Sequence, residues 1–210
     1  MKNKLHLDIL PEGQLKLFET LSSLSFIQDF YLAGGTCLAL QIGHRLSIDF
    51  DFFIPADFNT GDIINILTEI GAYQRENEAK NTINGILNGV KISFFGYRYK
   101  IIDEFKNFHN IRLAGLKDIA GMKLEAIAGR GSKKDFIDLD FLLQQFTLKE
   151  IFSFHTRKYG TGLSNQYHLL KSLIYFKDAE AEAMPVMIKP LDWEKVKTRI
   201  IEHAKQFQIK

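Results

Sequence analysis

Tyr31-Leu32-Ala33-Gly34-Gly35-Thr36-Cys37, running on through Gly43-His44-Arg45 to Leu46-Ser47-Ile48-Asp49-Phe50-Asp51-Phe52-Phe53, is the stretch whose reading decides how this chain folds. A short apolar run ends in a diglycine turn, a helix follows from Thr36 to Ile42, and a second apolar run from Leu46 to Ile54 carries two acids one residue apart. Strand side chains alternate, so Ser47, Asp49 and Asp51 are expected on one face and Ile48, Phe50 and Phe52 on the other. Two carboxylates about 6 to 7 Å apart on so apolar a strand call for a cation. Mg2+ suits them, because it takes oxygen ligands and keeps places for water and substrate phosphates. The Gly34-Gly35 bend lets the backbone approach a ligand closely, and the helix it opens points free N–H groups at an anion such as a triphosphate. The plain structural account makes the bend a strand-to-helix turn with Thr36 as cap, and the acids a solvated pair on an edge strand. Arg45, beside His44, offers a planar donor for phosphate or for bracing the aspartates.

Outward from this stretch, Pro11 to Leu24 reads as a helix and Phe30 to Ala33 as a strand. Thr60 to Ile70 reads as another helix, and strands at Asn81 to Leu87 and Val90 to Tyr99 meet at Asn88-Gly89, a strong hairpin signal. The sheet is therefore expected to be mixed. Beyond Ile111 the period turns helical, at Leu116 to Arg130, Lys134 to Phe146, Leu148 to Tyr159, Ser164 to Phe176 and Asp192 to Phe207, with Ala179 to Pro190 as a loop. This predicts an α+β chain whose second part is helical, with a boundary near residue 115.

Of the 210 residues 46% are hydrophobic, enough for a packed core, and the net charge of +2 does not mark a strongly basic nucleic-acid binder. Cys37 is the single cysteine, and Met1-Lys2-Asn3-Lys4 leads into no apolar run of signal-peptide length, so a cytoplasmic protein is expected. No stretch approaches the roughly 20 apolar residues that span a bilayer.

On a helix from Leu116 to Arg130, Leu116, Ile119, Ala120 and Ile127 share a face with Lys123 near its centre and Arg130 close to the same line. A buried ammonium needs a carboxylate or a phosphate opposite it. Asp135 lies on the stripe of Leu139, Leu142 and Phe146, Asp138 at its border, and Asp140 is expected to point away. The bland account is a buried Lys123 to Asp135 pair that only fixes helix packing.

Three ordered blocks carry a family resemblance: Leu32-Ala33-Gly34-Gly35-Thr36-Cys37-Leu38-Ala39-Leu40, then Gly43 to Phe53, then Lys123-Leu124-Glu125-Ala126 with Arg130 and Lys134-Asp135-Phe136-Ile137-Asp138-Leu139. Together they resemble the AbiEii/AbiGii nucleotidyltransferase-like toxins of type IV toxin–antitoxin systems, within the DNA polymerase β-like nucleotidyltransferase superfamily. The resemblance implies a nucleotidyltransferase-like mixed sheet with flanking helices over residues 1–115, and a helical region over 116–210 that completes the site. It implies nucleotide binding by Gly34 and Gly35, for which Thr36, Arg45 and Ser47 are further candidates. It also implies Mg2+ ligation by Asp49 and Asp51 and supporting roles for Lys123 and Asp135. The activity implied is transfer of a nucleoside monophosphate from an NTP to an acceptor, in related toxins the 3′ end of tRNA, with a cognate antitoxin as possible partner. One departure stands out: the strand that often supplies a third carboxylate reads Val90-Lys91-Ile92-Ser93-Phe94-Phe95. Either Asp135 completes the site or a second metal is weakly held.

Two rivals remain at this level. Haloacid-dehalogenase-like phosphatases also carry two aspartates one residue apart, but Phe53 stands where Thr or Val is usual, and the diglycine turn then has no purpose. The other rival is a degenerate nucleotidyltransferase-like domain that binds nucleotide, RNA or a protein partner. Lys158, Lys171, Lys177, Lys195, Lys197, Arg199 and Lys205 are candidates for an RNA backbone, though such charges are more often a solvated face. Tyr159, Tyr167, Tyr175 and Phe176 read as core, and His155 and His168 lack metal-ligand spacing.

Overall fold

The computed structural model describes residues 4–163 and 165–207. The chain divides into two units, one of Met1–Ile42, Leu46–Tyr99 and Phe105–Ala114, the other of Gly43–Arg45, Lys100–Glu104 and Gly115–Lys210. Met1-Lys2-Asn3 and Ser164, on which sequence expectations fall, lie outside the described residues.

The first unit holds α1 (Glu12–Ser23), β1 (Tyr31–Ala33), α2 (Gly34–Ile42), β2 (Phe50–Ile54), α3 (Thr60–Ile70), β3 (Tyr73–Ala79), β4 (Thr82–Leu87), β5 (Val90–Gly96), β6 (Lys106–Phe108) and β7 (Ile111–Leu113). These strands form one sheet in the order β3-β4-β5-β2-β1-β7-β6. The pairs β1 with β7 and β2 with β5 run parallel and the others antiparallel, so the sheet is mixed as expected. Asn88 (φ 52°) and Gly89 (φ 80°) close the β4–β5 hairpin in the left-handed region, where a two-residue turn matches the twist of its strands.

Phenylalanines decide which sheet face is core. Phe18 of α1 stacks on Phe50 at 5.7 Å, Phe52 stacks on Phe94 at 5.3 Å, and Phe30 meets Phe94 edge-on at 5.0 Å. The opposite face carries half-buried Asp51, Phe53, Asn84 and Phe95. The expected strand from Leu46 begins only at Phe50, because the Asp49 carbonyl is taken by the Thr36 hydroxyl instead of a ladder partner. Ile48, expected to pack with Phe50 and Phe52, is therefore 50% exposed. β3 was not expected: Tyr-Gln-Arg-Glu-Asn-Glu-Ala is mostly exposed, and such a charged run suits a sheet edge.

The second unit contains α4 (Leu116–Gly129), α5 (Lys133–Leu143), α6 (Leu148–Tyr159), α7 (Gln166–Ser172), α8 (Lys177–Glu180) and α9 (Trp193–Gln206). α4 packs against α5, α6 and α7, and α5 also against α8 and α9. A capping box between Thr147 and Glu150 starts α6 where the sequence places it. The helix expected from Ser164 to Phe176 is the shorter α7, begun by the Asn165 cap, and the expected Ala179 to Pro190 loop opens inside α8. Among the described residues no helix is long and apolar enough to cross a membrane.

Candidate active site

β1 delivers the chain to Gly34, whose φ of +74° lies in the left-handed region that favours glycine. A methyl group there would stand 3.1 Å from Asp51 Oδ2, so the carboxylate of β2 lies directly against the diglycine bend. The sheet register explains the meeting: Ala33 on β1 and Ser93 on β5 are the direct neighbours of Asp51 on β2. Both neighbours are small, which leaves the acid room. Thr36 is 2% exposed and works as a strut, its hydroxyl donating to the Asp49 carbonyl and accepting from the Ser47 hydroxyl at 2.8 Å. Gln41 ties the other end of α2, its amide donating to the Ala114 carbonyl at 2.9 Å. Thr36 and Ser47 thus fix the loop that carries Asp49, which is half-buried just ahead of β2.

Of the two β5 positions that would carry a third carboxylate, Lys91 and Ser93, Ser93 is the one beside Asp51, and Asn84 of β4 is its next neighbour in the row. No three His, Cys, Asp or Glu side chains gather to hold a metal among the described residues. A closed structural site is therefore not built here. Asp51, half-buried beside the glycine bend, offers one carboxylate that suits Mg2+, which is usually held by one or two carboxylates plus substrate phosphates, and Asp49 is the half-buried acid two residues before it.

In the second unit Lys123, Asp135, Asp138, Arg45 and His44 form a buried network. Lys123 reaches Asp135 at 2.9 Å and Asp138 at 2.6 Å. Arg45 grips Asp138 with two bonds, 2.7 Å from Nε and 2.9 Å from a terminal nitrogen, and His44 Nε2 adds a third at 2.7 Å. Asp135 accepts from Arg130 at 2.8 and 3.0 Å and from the Ser132 hydroxyl at 2.7 Å. Each carboxylate has about four acceptor sites. All are filled, so neither acid has a lone pair left for a metal.

The electrostatics follow from this saturation. Burial alone would raise the Asp138 carboxyl, but the charges of Lys123 and Arg45 and the bonds from His44 and Arg45 hold it well below the usual range. Asp135 is lowered in the same way, burial being outweighed by Lys123, Arg130 and Ser132. Lys123 is raised, since its two aspartates outweigh its burial. His44 is lowered, burial outweighing its bond to Asp138, so the neutral ring donates from Nε2 and its buried Nδ1 has no hydrogen-bond partner among the described residues.

Asp138, which the helical stripe puts at a border, is the centre of this network, and Asp140, expected to point away, is 2% exposed and bonded to Arg199 at 2.7 Å. Asp135 and Asp138 are three residues apart on one helix and so share a face, which was the available signal. Lys158 is buried against Asp118 at 2.7 Å, not on a solvated face. His155 pairs with Glu125. Tyr167 and Tyr175, read as core, are 62% and 54% exposed, whereas Phe176 packs on Phe136 and Trp193.

The mixed sheet that sets Asp51 against the glycine-opened α2 has counterparts among solved structures, two of them titled as nucleotidyltransferases. MenT4, titled nucleotidyltransferase toxin Rv2826c from Mycobacterium tuberculosis H37Rv, superposes with a TM-score of 0.57 at 12% identity, over 93% of this chain and 85% of that one. A putative nucleotidyltransferase from H. pylori gives 0.55 at 17% over 93% and 94%. JHP933 from Helicobacter pylori gives 0.54 at 16% over 93% and 92%. An uncharacterized protein of Aquifex aeolicus (strain VF5), aq_aa25, is 39% identical over 204 residues, 94% of this chain and 97% of that protein. The family model described as "Nucleotidyl transferase AbiEii toxin, Type IV TA system" matches residues 16–208. The chain belongs to this family of nucleotidyltransferase toxins, and membership implies a cognate antitoxin.

Proposed function

We propose that the protein is a Mg2+-dependent cytoplasmic enzyme that transfers a nucleoside monophosphate from an NTP to RNA, the 3′ end of tRNA being the favoured acceptor. The observation that carries the reading is the Asp51 carboxylate lying against Gly34, with Thr36 and Ser47 fixing the loop of Asp49. Asp49 and Asp51 hold the metal, and the Gly34-Gly35 bend at the start of α2 cradles the triphosphate with backbone N–H groups. Bound Mg2+ supplies charge neutralisation at the α-phosphate. The acceptor hydroxyl oxygen forms the new bond to the α-phosphorus, the bond to the bridging oxygen breaks, pyrophosphate leaves and the hydroxyl proton passes to solvent.

Lys123, Asp135 and Arg45 act in this reading by position. They are 3%, 0% and 3% exposed, and their network fixes His44-Arg45, four positions ahead of Asp49 in the chain. Incubation with each α-labelled NTP, Mg2+ and total RNA tests the proposal: labelled RNA is expected from the wild type and none from Asp51→Asn. Ser93 beside Asp51 favours a second reading, a domain that binds nucleotide without transferring it. Saturable NTP binding with no labelled product in any of these incubations selects that reading.

A further inference from the structure

A surface groove of about 360 Å3 in the second unit is lined by residues 127–131, Arg130 among otherwise apolar and glycine positions, and by His168, Lys171, Ser172, Tyr175 and Asp178. His168 and Lys171 are three apart on α7 and share a face. The Arg130 side chain is 61% exposed although its guanidinium bonds Asp135, so the group that closes the buried network also stands in the groove wall. Tyr175 in the groove and Tyr167 on α7 are both exposed.

We propose that this groove binds a single-stranded segment of RNA, with Arg130 and Lys171 against its phosphates and Tyr175 stacked on a base. The inference rests on the reading that the acceptor is RNA, and it adds which surface grips it. Cationic side chains interleaved with an exposed aromatic ring are what an unpaired strand requires, since every base has a face to stack and every linkage a charge to neutralise. A protein partner fits less well, because Arg130 and Lys171 bring two cations into the groove against the single acid Asp178, and interface cores are depleted in charge. The volume lies at the small end of ligand sites, which suits one nucleotide unit at a time.

Fluorescence anisotropy of a short single-stranded RNA of mixed sequence, titrated with the full chain in the absence of NTP, tests this directly. Tyr175→Ala is expected to weaken binding about tenfold, the loss of one base stack. Lys171→Ala should lower the slope of log affinity against log salt by about 0.7, one phosphate contact on a single strand. Both variants should keep the wild-type melting temperature, and the exposed Lys16→Ala should bind as wild type does. A wild type that does not bind the RNA, or groove variants that bind it unchanged, overturns the proposal and leaves the exposed tyrosines to a protein contact. Label transfer separates the two readings: transfer with groove variants of unaltered RNA affinity removes the groove alone. Groove-dependent RNA binding without any transfer removes the enzymatic reading alone.

Discussion

Gly34 concentrates two constraints in one residue. Its backbone is left-handed, which costs a residue with a side chain roughly 1–2 kcal/mol, and the methyl of alanine would press on Asp51 Oδ2 at 3.1 Å. Gly34→Ala is therefore expected to lower label transfer at least about tenfold while costing only about 1–2 kcal/mol of stability, read by transfer assay and denaturant unfolding. Wild-type transfer in that variant would show that the bend does not hold the nucleotide. The diglycine and the acids were legible as residues because their chemistry is local. The partner of His44 was not, because Asp138 lies 94 positions away. That histidine makes stability depend on pH: its folded pKa lies below 6.5, so between the two values the unfolded chain holds the extra proton and stability falls as pH drops from 7.5 toward 5.5. Asp138, Arg45 and Lys123 face it and keep their charges across that range. His44→Gln should flatten the fall in melting temperature over this interval, and an unchanged slope would assign it to other groups.

At the scale of elements, the order helix, strand, helix, strand and hairpin was readable because each long segment keeps its own period. β3, β6 and β7 carry no such period: the first is polar on both faces, and the others have three residues each, too few to show alternation. β2 came out shorter than its apolar run because a side-chain hydroxyl, not a strand, takes the Asp49 carbonyl. Between α4 and α5 the stripe showed that Lys123 needs a carboxylate, but one-dimensional spacing did not reveal that it has two. Removing one acid from a buried network leaves its cations uncompensated, typically at a cost of about 3–5 kcal/mol. Asp138→Asn should accordingly lower the unfolding midpoint by roughly 10 °C. A change of about one degree would show that Lys123 and Arg45 find other partners.

For the whole molecule, the family match over residues 16–208 extends into the helical region, beyond the three blocks that made it recognisable in the sequence. A net charge of +2 carried little information because its charges are local: Lys123, Lys158 and Arg45 neutralise buried aspartates, while Lys171 is left on the surface. Fold and family were legible because the glycine bend and the acid pair fall in two consecutive blocks of one ordered series. The groove beside Tyr175 was hidden, because an aromatic residue at helical spacing reads as core until its exposure is seen. The central claim is that Asp51, set against Gly34, serves phosphoryl chemistry. Its most direct test is label transfer from α-labelled NTP to RNA by wild type and Asp51→Asn at matched thermal stability. The account predicts labelled RNA from the first and none from the second; equal transfer by both would contradict it.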